Sequence, residues 1–113
     1  MTSQGSAHGR FTRAINTRNL LGAEMAMREM GAVNLLEALD YLVLLVELRP
    51  ERAPAAAIRW HGRLELESAS LTLVESQLAL AALADLCAGG RDSVSVLQRL
   101  LRRVRPTQLP RAG

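Results

Sequence analysis

The chain has 113 residues, of which 49% are hydrophobic but only 3% aromatic, and a formal net charge of +3. That length suits a single domain with one aliphatic core, and the dominant Leu, Ala, Arg, Glu and Met all favour helix. One cysteine, Cys87, excludes an intrachain disulfide framework, and the longest uncharged apolar runs, 41–46 and 78–84, fall far short of the ~20 residues that span a bilayer.

All 14 basic residues are Arg. With the abundant Ala, this fits a GC-rich coding sequence and sets the expectation of a bacterial protein. The lone cysteine and the lack of an apolar stretch near the first residues set the expectation of a cytoplasmic one. Charge is unevenly placed. Residues 1–18 carry three Arg and no acid, 19–90 carry five Arg against ten acids, and 91–113 carry six Arg against Asp92. An acidic centre is bracketed by basic ends.

In chain order, residues 1–9, rich in Gly and Ser, read as a flexible leader. A first helix is predicted over 11–30, with Ile15, Leu21, Met25, Ala26 and Met30 as its buried stripe, Glu24 and Arg28 paired outside, and Gly31 as its stop. A second helix starts at the Asn34-x-x-Glu37 capping box and runs through Leu35, Leu39, Leu42, Leu45 and Leu48. Arg49-Pro50 ends it, because a residue before Pro is pushed out of the helical region. A third helix begins near Pro54 and reaches about Ser68, with Ala57, Trp60, His61 and Leu64 inward. The fourth has the clearest start, Thr72-x-x-Glu75, and stops at Gly89-Gly90. The fifth follows Asp92 and ends before Pro106, with Val94, Leu97, Leu100, Leu101 and Val104 on one face. Residues 107–113 read as a loose tail, leaving 10–106 as one helical domain.

Helices two and four correspond at a constant offset. Asn34 falls on Thr72, Leu35 on Leu73, Glu37 on Glu75, Leu42 on Leu80, Leu45 on Leu83, Glu47 on Asp85 and Leu48 on Leu86. A period of about 38 residues lies where helix-hairpin repeats live. Ala38, Leu42, Leu45 and Pro50 stand at the spacings of the second helix and closing Pro of the tetratricopeptide motif, and Leu21-Gly22 is similar to the Leu-Gly pair of its first helix. The chain thus weakly resembles the tetratricopeptide and related α-helical repeat families, although Gly89-Gly90 stands where a second closing Pro belongs. The resemblance implies a solenoid-like stack that binds a peptide or partner protein and carries no catalysis. The expected architecture is all-α with five helices: two stacked hairpins and a C-terminal helix that caps the exposed end. Incomplete closure by that last helix would invite a homodimer.

Few residues suggest chemistry. Arg99, Arg102 and Arg103 share one face of the fifth helix and suit an anionic partner, either an acidic protein or a phosphate backbone. The alternative is that arginines near a helix C-terminus simply complement the macrodipole. Trp60, flanked by Arg59 and Arg63, suits an interface anchor or a core position. His61 and Glu65 lie one turn apart, but His8 is the only other histidine, so a hydrogen-bonded core or boundary histidine is favoured over a ligand. Cys87 lacks a neighbouring cation to activate it and reads as a small buried hydrophobe. Asp40, Glu37 and Glu47 read as ordinary helix acids, and no phosphate loop is present. The expected function is a non-enzymatic interaction module with no catalytic residues, cofactor or metal. It binds a protein segment or itself through Arg59, Trp60, Arg63, Arg99, Arg102 and Arg103. Electrostatic nucleic-acid binding through both basic ends is the alternative.

Overall fold

The computed structural model describes residues 6–106, and all regular structure among them is helical. The helices are α1 (Ala7–Asn16), α2 (Leu20–Met30), α3 (Leu35–Leu48), α4 (Ala53–Glu67), α5 (Leu73–Cys87) and α6 (Asp92–Val104), with a 3-10 turn at Pro50–Arg52. The expected tail at 107–113 and the first part of the expected leader, 1–5, lie outside the described residues. The chain divides into two compact units between Val33 and Asn34.

In the first unit, helix begins within the expected leader. Ser6 caps it, its side chain accepting from the Gly9 amide at 3.0 Å. The predicted single helix over 11–30 is two helices, so the described residues hold six α-helices rather than five. The break is a left-handed turn. Arg18 has φ 59°, its amide donates to the Ile15 carbonyl at 3.1 Å, and the Asn19 amide donates to the Ala14 carbonyl at 2.8 Å. This pair of bonds is the Schellman closure of a helix C-terminus, here with Arg where Gly is usual. Asn19 then caps α2 through the Gly22 amide at 2.9 Å. The break resets the helical phase. Ala23 and Ala26 are buried in α2, while Leu21 and Met25, expected in one inward stripe with Ile15, are exposed. Glu29 takes Arg10 of α1 as its ion-pair partner, linking the two helices of this unit.

The second unit follows the predicted boundaries closely. Asn34 and Thr72 both form reciprocal capping boxes, with Glu37 and Glu75 returning bonds to the cap amides at 3.1 and 2.9 Å. Gly89, at φ 101°, closes α5 by the same Schellman pattern: its amide donates to the Leu86 carbonyl and that of Gly90 to the Asp85 carbonyl. A Cβ at position 90 would collide with the Asp85 carboxylate, which is held in place by the Ser93 hydroxyl. One aliphatic core joins all four helices of this unit. It includes Leu35, Leu39 and Leu42 of α3, Trp60 and Leu64 of α4, Ala79, Leu83 and Leu86 of α5, and Leu97, Leu100 and Val104 of α6.

The correspondence between α3 and α5 is uneven in this packing. The caps match in geometry, and Leu45 and Leu83 are both buried. The two terminal acids also do similar work: Glu47 pairs with Arg91 at 3.4 Å and Asp85 accepts from the Ser93 hydroxyl, each holding the start of α6. The remaining leucines part company. Leu35 and Leu42 are buried, whereas Leu73 and Leu80 are exposed. In addition, α6 packs on α3 as well as α5, so it shares the core of the unit rather than covering one end of a stack.

Candidate interaction surfaces

The amphipathic α6 directs Leu97, Leu100, Leu101 and Val104 inward and leaves its arginines outside. Those arginines have different fates. Arg103 reaches back to the start of α5, where it grips the Glu75 carboxylate with two nitrogens and donates to the Ser70 carbonyl at 2.7 Å. The Glu75 carboxyl is held below the usual carboxylate range by the Thr72 backbone amide first and by Arg103 second. Arg103 is therefore occupied in joining two helices. Arg99 and Arg102 are exposed, and their side chains make no ion pair with the described residues.

On α4 the three expected contact residues separate. Trp60 is only 3% exposed and lies in the core, its Nε1–H donating to the Leu35 carbonyl at 2.9 Å. It is therefore not a surface anchor. An indole buried with its one donor satisfied is a stable core solution, and it secures the first turn of α3. Arg63 binds Glu67 one turn on, at 2.7 Å. Arg59 alone stays exposed with no side-chain partner among the described residues. Of the six expected residues, Trp60, Arg63 and Arg103 are engaged within the unit, and Arg59, Arg99 and Arg102 are exposed with no side-chain partner among the described residues.

His61 is buried, with Nε2 2.9 Å from Ser76 Oγ and 3.2 Å from the Ser76 carbonyl oxygen. A carbonyl only accepts, so the contact with the Ser76 carbonyl is satisfied in the tautomer that carries the proton on Nε2. The Ser76 hydroxyl in turn donates to Glu65 Oε2 at 2.7 Å. The order runs from imidazole donor through hydroxyl to carboxylate acceptor. Nucleophilic activation needs the opposite, an imidazole that accepts the serine proton. The group joins α4 to α5 by satisfied polar contacts. Pairing of Ser76 with His61 was not visible in the sequence, because nothing local links a residue of α4 to one of α5. Burial raises the Cys87 thiol above its ordinary value, which leaves little thiolate. Among the described residues no group of three or more His, Cys, Asp or Glu is placed to hold a metal ion, and no helix is long and apolar enough to cross a membrane.

The least expected surface is apolar. Leu66 is 89% exposed, Leu73 78%, Val74 73% and Ile58 71%, and Leu78 and Leu80 are about half exposed. On α5 this follows from composition. Leu73, Leu78, Leu80, Leu83 and Leu86 point in directions that together surround the helix, at about 100° per residue, so no single core can cover them all. The sequence signal was present: too many leucines for a single stripe. Leucine content alone does not say which arc faces the core. Comparison with known family models, characterised proteins and solved structures finds no match.

Proposed function

We propose that this chain is a non-enzymatic protein-interaction module that associates through the outer side of α4 and α5. The carrying observation is α5 itself, which has apolar side chains on every side yet exposes Leu73, Val74, Leu78 and Leu80 to solvent. Helices of that kind are ordinarily covered on every side, and large exposed apolar patches mark association sites. The donor order at His61, Ser76 and Glu65 supports a structural rather than catalytic role for the polar group beneath that surface. The reading also accommodates a helix-hairpin repeat, in which α5 offers to a partner the leucines that α3 keeps inside. The single free Cys87 and the all-arginine basic set support a cytoplasmic, bacterial setting.

The test is site-specific photo-crosslinking in cells. A photoreactive residue at Leu73 should yield a discrete protein adduct, and one at the exposed polar position Asp92 should not. No adduct from Leu73, or equal adducts from both positions, counts against the reading.

A second reading rests on Arg99, Arg102 and Arg105, which are exposed on α6 and at its C-cap and whose side chains make no bond to the described residues. It is electrostatic binding of nucleic acid, positioned on phosphates without base readout. Duplex binding should then weaken steeply with added salt. A flat salt response removes this reading.

A further inference from the structure

The outer face of α4 is chemically palindromic. Around Gly62, the outward positions run Ala55, Ile58, Arg59, Gly62, Glu65, Leu66. Ile58 and Leu66 stand four positions on either side of Gly62, and Arg59 and Glu65 stand three on either side. Because a helix advances about 100° and about 1.5 Å per residue, such pairs sit at equal and opposite heights and angles about Gly62. A two-fold axis at Gly62, perpendicular to the helix, therefore lays Ile58 of one copy level with Leu66 of the other. It also sets Arg59 level with Glu65, within reach of their long side chains. An isologous contact requires this self-complementarity.

Three further observations agree. Among the described residues nothing requires glycine at 62: its φ is not positive, and a Cβ there would meet no atom within 4 Å. Glycine inside a helix is unfavourable relative to alanine, and a glycine on an outer face leaves room for close approach of a second backbone. Ile58 and Leu66 are among the most exposed apolar side chains of the molecule. The charges that flank them reach the surface: Arg59 has no side-chain partner among the described residues, and the Glu65 side chain is half exposed, although its Oε2 accepts from Ser76 and stands 4.0 Å from His61 Nε2.

We infer that the partner of this surface is a second copy of the chain, bound as an antiparallel α4–α4 pair whose two-fold axis passes at Gly62. The inference rests on the interaction-module reading and specifies its partner. Each dimer carries two Arg59–Glu65 ion pairs, two Ile58–Leu66 contacts and one glycine crossing.

The test is sedimentation of the full chain. Wild type should reach twice the 12.3 kDa monomer mass. Arg59→Glu and Glu65→Arg should each weaken association by at least about ten-fold, because each sets like charges together across the axis. An equimolar mixture of the two variants should associate again, since both cross-axis pairs are then opposite in charge. Gly62→Leu should abolish the dimer while leaving the helical circular dichroism intact, so loss of folding in the Glu65 variant cannot hide the answer. A monomeric wild type overturns the inference, as does a dimer indifferent to Gly62→Leu and Arg59→Glu. If a Leu73 adduct forms with a different protein while the chain stays monomeric, the self-pairing fails and the broader interaction reading stands.

Discussion

α3 and α5 start alike and end up in different surroundings. Each opens with a reciprocal capping box and carries leucines at matching positions. Yet Leu35 and Leu42 are buried, whereas Leu73 and Leu80 look outward. The first turns are also tied down differently. In α3 the buried indole of Trp60 donates to the Leu35 carbonyl, a neutral bond sheltered from water. In α5 the guanidinium of Arg103 grips the capping glutamate at the surface. A local start code is thus compatible with opposite tertiary outcomes. Caps settle where a helix begins, while the arc that faces the core depends on what packs against it.

The largest expected contrast comes from the matched leucines. Leu42→Ala removes a side chain from the centre of the core and should cost about 2–5 kcal/mol. Leu80→Ala, at the corresponding position of α5, should stay below about 1 kcal/mol at concentrations where the chain is monomeric. Chemical denaturation measures both, and equal losses would mean that the outer side of α5 is covered in solution.

Next in size is the indole bond. Trp60→Phe keeps most of the ring volume but leaves the Leu35 carbonyl without its donor, for a loss of about 1–3 kcal/mol. Because the bond is buried and neutral, that loss, read by the same denaturation, should be insensitive to salt.

The surface tie of α5 should behave in the opposite way and be smallest. The folded state holds the Glu75 carboxyl below its ordinary value through the Thr72 amide and Arg103. A lowered folded pKa means that this stabilisation is present above the ordinary carboxylate range and disappears as pH falls through the lowered value. Glu75→Gln should therefore lower the melting temperature modestly at neutral pH and flatten its fall in acid, and high salt should shrink the difference. Superimposable acid curves for wild type and Glu75→Gln would break the contrast between the two ties. Asp40 works in the other sense: burial first and Glu37 second raise its carboxyl, so its charged form costs stability at neutral pH.

The same contrast explains what the sequence made legible. Both capping boxes and the stops at Arg49-Pro50 and Gly89-Gly90 were readable because each depends on residues within a few positions of one another. The break after Asn16 was not, because Arg18 takes the left-handed place where glycine is the usual signal. With it went the phase of Leu21 and Met25. The engagement of Arg103 by Glu75 and of His61 by Ser76 joins positions far apart in sequence, which periodicity does not report. Trp60 had two readings, contact residue or core, and the packing of α3 on α4 separates them. The outward leucines of α5 were visible as a surplus without a direction. The palindrome about Gly62 becomes meaningful only once Arg59 and Glu65 are seen exposed on one helix with open space between them.

A single cysteine placed on the two-fold axis tests the α4 face most directly. In a Cys87→Ala background, Gly62→Cys should oxidise readily to a disulfide-linked dimer, because a two-fold axis at this residue sets position 62 of one copy against position 62 of the other, and a disulfide needs α-carbons within roughly 4–7 Å. Ile58→Cys should not, since its neighbour across the axis is Leu66. A linked dimer at 62 and none at 58 is the predicted result. No linkage at 62, or equal linkage at both positions, would contradict the two-fold pairing.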